Sequence, residues 1–232
     1  MNDIKENLKE INERIKNAAV VSGRKMDDIL LLGVTKTVDV DRIKSLMEYG
    51  VKSLGENRVQ ELLSKYEVIG RQAKWHLIGS LQTNKVKYII DKVELIHSVE
   101  SVKLAEEIDK QSKKYNKVSD ILVEVNIAGE SSKHGIEPDN VSKFIDEISR
   151  FDNICIKGIM TVAPFVENPQ ENRKYFEKMR KLFIDNTGKN VDNINMTYLS
   201  MGMTNDYEVA IEEGANIVRI GTGIFGKRDY RN

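Results

Sequence analysis

The chain has 232 residues, of which 40% are hydrophobic and 31% are charged, and this composition is typical of a folded globular protein. Its 36 basic residues balance 36 acidic ones, so no net charge favours nucleic acid or an anionic membrane surface as a partner. A single cysteine, Cys155, excludes an intrachain disulfide, and neither a signal peptide nor an apolar run of about 18 residues is present, so the sequence predicts a cytoplasmic protein without a membrane span.

Eight short apolar runs alternate along the chain with segments of helical periodicity. An additional amphipathic helix precedes the first run and places Ile4, Leu8 and Ile11 on one face. The runs are interpreted as strands over residues 29–34, 51–54, 75–78, 95–99, 121–127, 154–160, 196–199 and 217–220. Strands that alternate with helices form parallel βαβ units, so a parallel sheet is expected.

Four residues between these runs indicate where helices begin. Asp39 and Thr83 are predicted to cap the helices after the first and third strands, because their side-chain oxygens accept backbone N–H groups. Pro138 and Pro169 stand where a first-turn proline belongs, ahead of the helices after the fifth and sixth strands.

The number of strand–helix units favours a closed (β/α)8 barrel of the TIM type, a fold that typically takes about 250 residues. A doubly wound open sheet is the alternative, but no G-x-G-x-x-G follows the first strand, and that fold usually has roughly five or six strands. No linker, repeat or low-complexity tract marks a second domain. We therefore expect one barrel domain over residues 1–232, with the additional N-terminal helix.

The loops after strands seven and eight are rich in glycine and hydroxyl groups. Residues 200–204 are Ser-Met-Gly-Met-Thr, and Arg219 on the last strand is followed by Gly-Thr-Gly at 221–223. Barrels commonly bind phosphate at these loops, where N–H and hydroxyl groups act as donors and glycine allows close approach. Taken alone, either loop is better interpreted as a tight turn, with Thr204 as a helix cap, whereas the two together favour a phosphate site.

Lys36 directly follows the first strand, at the rim where barrels carry function. A partly desolvated amine has a lowered pKa, and a neutral amine forms a Schiff base with an aldehyde. Most lysines at strand ends are simply solvated, but a lysine beside a phosphate site indicates pyridoxal 5′-phosphate, which carries both groups. His76, His97 and His134 share no metal-ligand spacing, so no metal site is expected, and His76 is predicted to be a core residue.

An ordered set of motifs resembles the pyridoxal phosphate homeostasis proteins, which are similar to the barrel domain of alanine racemases. The resemblance extends over nearly the whole chain, and the ordered set is far more specific than any one motif. The motifs are Val-Thr-Lys-Thr at 34–37, Gly-Glu-Asn-Arg-Val-Gln-Glu at 55–61, Trp-His-Leu-Ile-Gly-Ser-Leu-Gln-Thr-Asn-Lys at 75–85, Ile-His-Ser-Val at 96–99, Gly-Ile-Met-Thr at 158–161, Ser-Met-Gly-Met-Thr-Asn-Asp at 200–206 and Arg-Ile-Gly-Thr-Gly-Ile-Phe-Gly at 219–226.

The resemblance implies a binding site for pyridoxal 5′-phosphate. It makes Lys36 the Schiff-base lysine and Asn57 a polar neighbour of the cofactor ring, and it places Arg219 beside the pyridine nitrogen. The residues that it places around the phosphate are Ser200, Gly221 and Thr222. Thr204 stands where the family is expected to have serine, and Lys133 matches a loop lysine of the family.

The function that the resemblance implies is homeostasis and supply of the cofactor, with little or no turnover. A guanidinium at Arg219 keeps its charge and discourages protonation of the pyridine nitrogen, which weakens the ring as an electron sink. Only twelve residues follow the last strand, too few for the C-terminal domain that supplies a second acid/base group in racemases. A monomer is expected, with apo forms of pyridoxal-phosphate enzymes as candidate partners.

Two enzymatic alternatives stay open. A minimal amino-acid racemase would use Tyr198 or Tyr207 as an acid/base group, although the pattern makes these an ordinary strand aromatic and a first-turn helix residue. A barrel enzyme acting on a sugar phosphate would use Lys36 as the nucleophile and would hold no chromophore.

Overall fold

Eight parallel strands form a closed barrel in chain order, and β8 pairs with β1. The computed structural model describes residues 4–130, 133–189 and 191–226. The strands are β1 Leu30–Val34, β2 Ser53–Glu56, β3 Lys74–Leu77, β4 Val93–Val99, β5 Ser119–Glu124, β6 Ile154–Met160, β7 Ile194–Met203 and β8 Ile217–Ile220. The predicted (β/α)8 barrel is confirmed.

Helices surround the barrel and connect successive strands. They are α1 Ile4–Val21, α2 Val40–Glu48, α3 Val59–Ile69, α4 Val86–Ile89, α5 Val102–Lys114, α6 Val141–Ile148, α7 Arg173–Asn186, α8 Tyr207–Glu212 and α9 Thr222–Phe225. The additional N-terminal helix α1 is confirmed, and it packs against α8 and α9. Within the described ranges, no helix combines the length and the apolar character needed to cross a membrane.

Three of the four predicted helix starts differ in detail from the structure. Asp39 caps α2 as predicted, with its Oδ1 accepting the Arg42 N–H at 2.9 Å. The prediction that Thr83 caps a helix is wrong, because Thr83 itself begins a 3-10 turn and α4 starts at Val86 without a side-chain cap. Pro138 and Pro169 begin 3-10 turns that lead directly into α6 and α7.

Strand β2 lies two residues later than the sequence predicts, at 53–56 instead of 51–54. Its ends, Ser53 and Glu56, are polar but buried, because the strand pairs along its whole length with β3. Glu56 forms a buried ion pair with Lys65, and a search of the sequence for apolar runs does not detect such a pair. Strand β7 is also longer than predicted and extends to Met203.

The inside of the barrel changes from apolar to polar along the strands. A compact cluster of buried side chains fills it, comprising Leu32, Leu95, Leu122, Met160 and Ile217. Successive side chains of a strand point to opposite faces, so residues two positions further on face the same interior. Those positions on β4, β5 and β8 hold His97, Glu124 and Arg219. Polar chemistry is therefore concentrated at the carboxyl ends.

Candidate functional site

A cavity of about 400 Å³ opens at the carboxyl ends of the strands. Of the residues that the sequence singles out, it is lined by Lys36, Asn57, Thr204, Arg219, Gly221 and Thr222. Val162 and Phe165, which the sequence does not single out, also line it, together with Met203 and Asn205. Small-molecule sites usually have such a volume and combine apolar walls with a few polar groups.

Lys36 and Asn57 lie at the ends of the adjacent strands β1 and β2, and both are half-buried. The loop after β3 packs closely on Asn57 at Gly79. A Cβ atom at Gly79 would lie 2.4 Å from the Asn57 carbonyl oxygen and 2.9 Å from its Cα. Only glycine fits this approach, so Gly79 holds the Asn57 backbone at the cavity wall.

The loops after β7 and β8 contact each other through Thr204. Its Oγ1 accepts the Gly223 N–H at 3.1 Å, while the cap position of α8 is Asp206. The alternative that Thr204 caps a helix is therefore wrong. A Cβ atom at Gly221 would lie 3.1 Å from the Val34 carbonyl oxygen, so the last loop also packs closely against β1.

Arg219 is buried inside the barrel, only 4% exposed, and forms the polar floor of the cavity. Its Nη1 donates to Ser200 Oγ at 2.8 Å and its Nη2 donates to the Thr161 carbonyl oxygen at 2.7 Å. Burial lowers the pKa of Arg219 to about 10. The guanidinium therefore keeps its positive charge at neutral pH.

Ser200 and two histidines continue from Arg219 as a chain of hydrogen bonds. Ser200 Oγ lies 3.2 Å from His97 Nδ1, and His97 Nε2 lies 3.0 Å from His76 Nδ1. Burial lowers the pKa of His76 to about 4 and that of His97 well below its ordinary value, so both rings are neutral. Arg219 only donates, so Ser200 Oγ accepts from it, and the tautomers of His97 and His76 set the direction of the two bonds that follow. Ser200 is not among the residues that line the cavity; it lies beneath Arg219, which does line it.

Glu124 at the end of β5 is a second buried titratable group near Arg219. Burial and the neighbouring Glu100 carboxylate raise the pKa of Glu124 to about 7, while His134 and Arg219 act in the opposite direction. Glu100 also accepts the Gly135 N–H at 2.7 Å and lies 3.0 Å from His134 Nδ1.

Lys133 lies on the loop after β5 and is exposed, away from the residues that line the cavity. The serines at 131 and 132 lie outside the described residues.

The sequence also does not single out Val162 or Phe165 as functional, because each is an ordinary apolar residue just beyond β6. Their position after a strand end is the signal that points to them.

Comparisons with known proteins agree with this architecture. A model of the alanine racemase N-terminal domain family matches residues 1–229. A pyridoxal phosphate homeostasis protein of Aquifex aeolicus is 47% identical over 226 residues, which are 97% of this chain and 98% of that protein. The resemblance drawn from the ordered motifs is confirmed.

Two solved structures are similar over nearly their whole length. An unknown protein from Bifidobacterium adolescentis is 34% identical with a TM-score of 0.89, covering 96% of this chain and 94% of its own. PipY of Synechococcus elongatus, solved with pyridoxal phosphate bound, is 28% identical with a TM-score of 0.79, covering 93% and 100% respectively.

The raised pKa of Glu124 should make the stability of the fold depend on pH. The unfolded chain releases this proton near the ordinary pKa of 4.5 and the folded chain near 7, so the free energy of unfolding falls as the pH rises between them. Glu124→Gln removes this titration. Its free energy of unfolding relative to the wild type should therefore increase by about 2 kcal/mol from about pH 5 to about pH 8.

Urea unfolding at the two pH values measures this difference. Glu94→Gln, which changes an exposed carboxylate on β4, is the matched control and should follow the wild type. If Glu124→Gln also follows the wild type at both pH values, Glu124 has an ordinary pKa.

Proposed function

This chain belongs to the alanine racemase N-terminal domain family and, within it, to the pyridoxal phosphate homeostasis proteins, and on this premise we propose that its cavity holds pyridoxal 5′-phosphate. The observation that carries the proposal is that Lys36 and the loop of Gly221 and Thr222 line one cavity. A primary amine and a group of phosphate donors in one cavity, at the ends of the adjacent strands β1 and β8, fit a ligand with an aldehyde and a phosphate.

When bound, the cofactor supplies an aldehyde whose carbon forms a C=N bond with a primary amine, and the carbonyl oxygen leaves as water. Lys36 Nζ is the amine of the cavity, and the side chain is half-buried at the end of β1. Asn57 offers an amide at the end of the adjacent strand β2 and would lie beside the ring. Arg219 at the cavity floor would face the pyridine nitrogen.

The phosphate would lie against the loops after β7 and β8. Thr222 offers its hydroxyl, Gly221 allows a close backbone approach, and Thr204 joins the two loops through Gly223. The resemblance also implies that Ser200 contacts the phosphate. Its hydroxyl already bonds to Arg219 and His97, so Ser200 could instead act on the ligand by holding Arg219 in place. A mutation has to distinguish these two roles.

We infer a role in cofactor homeostasis and supply, with little or no turnover. The charge of Arg219 opposes protonation of a pyridine nitrogen, and the ring then accepts electrons poorly. Among the described residues that line the cavity, the ionisable side chains are Lys36 and Arg219. No carboxylate, imidazole or phenol, the side chains that often act as a second acid/base group, is among these lining residues.

The open rim of the cavity fits a protein that releases its ligand. Phe165 lies on this rim and is 87% exposed.

We infer that residues 1–232 form one domain, that the protein is a cytoplasmic monomer, and that apo forms of pyridoxal-phosphate enzymes receive the cofactor from it.

Covalent attachment tests the assignment of Lys36. Purified protein incubated with pyridoxal phosphate should turn yellow, and borohydride should leave a pyridoxyl group on Lys36, found by peptide mass spectrometry. Lys36→Ala should abolish the label but keep weaker binding through the phosphate. Lys44→Ala, which removes an exposed lysine on α2, should behave as the wild type. A protein that takes up no pyridoxal phosphate would disprove the proposed function.

The phosphate assignment is tested by comparing pyridoxal phosphate with pyridoxal. Thr222→Ala and Ser200→Ala should each weaken binding of the phosphate ester by about 1–3 kcal/mol, because a charged oxygen loses a donor. Binding of pyridoxal should change little, as titration calorimetry would measure. Thr197→Ala at an exposed threonine of β7 is the control. Equal weakening of both ligands by Ser200→Ala would assign Ser200 to Arg219 and not to the phosphate.

Exchange of the amino-acid α-proton in deuterated water tests the absence of turnover. Without a carboxylate, imidazole or phenol among the described lining residues, the cavity should forfeit most of a contribution of about 10²–10⁴-fold, so exchange should be far slower than about 1 s⁻¹ with any common amino acid. Faster exchange that Lys36→Ala abolishes would establish the racemase alternative instead.

A further inference from the structure

The motif at residues 55–61 contains two glutamates, neither of which lines the cavity. Glu56 is the last residue of β2 and is fully buried, while Glu61 lies in the first turn of α3. Lys65 follows one helical turn after Glu61, so both side chains lie on the same face of α3. At 5% exposed, Lys65 is an unusually buried lysine.

The Lys65 ammonium makes three short contacts. Its Nζ lies 2.7 Å from Glu56 Oε1, from Glu61 Oε1 and from the carbonyl oxygen of Thr35. Three donors therefore meet three acceptors, which matches the bonding capacity of an ammonium group. The third acceptor belongs to the residue immediately before Lys36.

The same two carboxylates also hold the residues on both sides of Lys36. The Thr35 hydroxyl donates to Glu56 Oε1 at 2.5 Å, and the Thr37 backbone N–H donates to Glu61 Oε1. Thr37 has a φ of 62°, a left-handed conformation that costs a β-branched residue free energy. The surrounding contacts must therefore impose this turn on the chain.

Stability alone does not account for such a cluster. Burial raises the pKa of Glu56, opposed by its hydrogen bonds with Lys65 and Thr35, so enclosing the carboxylate has a cost. Buried ion pairs are often no more stabilising than apolar side chains of similar volume, because desolvation offsets their attraction. A role in geometry explains why charges occupy this position.

We propose that Lys65 and Glu61 are positioning residues that hold the backbone on both sides of Lys36 and thereby aim its amine at the ligand. Lys65 acts on the preceding residue through the Thr35 carbonyl, and Glu61 acts on the following one through the Thr37 N–H. The inference rests on the proposed attachment of pyridoxal phosphate to Lys36. In that step Nζ attacks the aldehyde carbon and water leaves, so the approach of the amine governs the rate.

The test separates attachment at Lys36 from binding through the phosphate. Pyridoxal phosphate is mixed with the protein, borohydride is added after set times, and the pyridoxyl label on Lys36 is quantified by mass spectrometry. Glu61→Ala, which removes the acceptor of the Thr37 N–H, and Lys65→Met should slow labelling by about tenfold or more, since small misplacements of a reacting group reduce rates strongly. Pyridoxine phosphate, which has no aldehyde, should bind both variants as it binds the wild type.

Controls distinguish positioning from general damage. Glu67→Ala removes an exposed carboxylate from the same helix and should label at the wild-type rate. Lys65→Arg keeps the charge and should label faster than Lys65→Met. Should Lys65→Met fail to fold by circular dichroism, Glu61→Ala decides, because the Glu61 side chain is 23% exposed and alanine is a good helix former.

Wild-type labelling rates in folded Glu61→Ala would overturn the positioning role while leaving the proposed function intact. Parallel losses of labelling and of pyridoxine phosphate binding would also overturn it, because they indicate a distorted cavity. Absence of label on wild-type Lys36 would overturn both proposals together.

Discussion

The buried positive charge of Arg219 organises the inner face of the barrel at its carboxyl end. A guanidinium removed from water has to find acceptors, and it finds them in the Ser200 hydroxyl and the Thr161 carbonyl oxygen. Through Ser200, the hydrogen bonds continue from Arg219 to His97. Burial, the neighbouring His76 and the charge of Arg219 all lower the pKa of His97, and the same charge opposes the raised pKa of Glu124. One cation thus affects the protonation of two buried groups around it.

A second buried charge cluster lies at the ends of β1 and β2, on the side of the cavity that carries Lys36. Lys65 lies between β1, β2 and α3 and bonds to acceptors from all three. The two clusters differ in their relation to the cavity: Arg219 faces it, whereas Lys65 lies behind Lys36. Contacts of this kind on the neighbouring backbone would hold a lysine at a strand end in place, whereas a lysine on an open surface is mobile. A family of cofactor-holding proteins needs this rigidity even where turnover is absent, since binding also depends on aligned groups.

Much of the fold and part of the site could be predicted because local patterns carry them. The alternation of apolar runs with amphipathic segments predicts the barrel, and the position of Lys36 and of residues 221–223 after strands places them at one rim. The shift of β2 to 53–56 could not be predicted in this way. Its polar ends are buried only because β3 and Lys65 lie beside them, and both contacts depend on the closed barrel.

From the sequence alone, the fold class, the family and the polar members of the cavity lining were accessible, since strand-end positions and motif order are properties of the chain, whereas the apolar Val162 and Phe165 were not singled out. Which polar groups contact each other was decided only by the tertiary structure. Thr204 bonds to Gly223 instead of capping α8, and Ser200 lies beneath the cavity on Arg219. Hydrogen bonds between strands seven and eight depend on register and side-chain direction, and the closed barrel determines both because every strand must meet two neighbours.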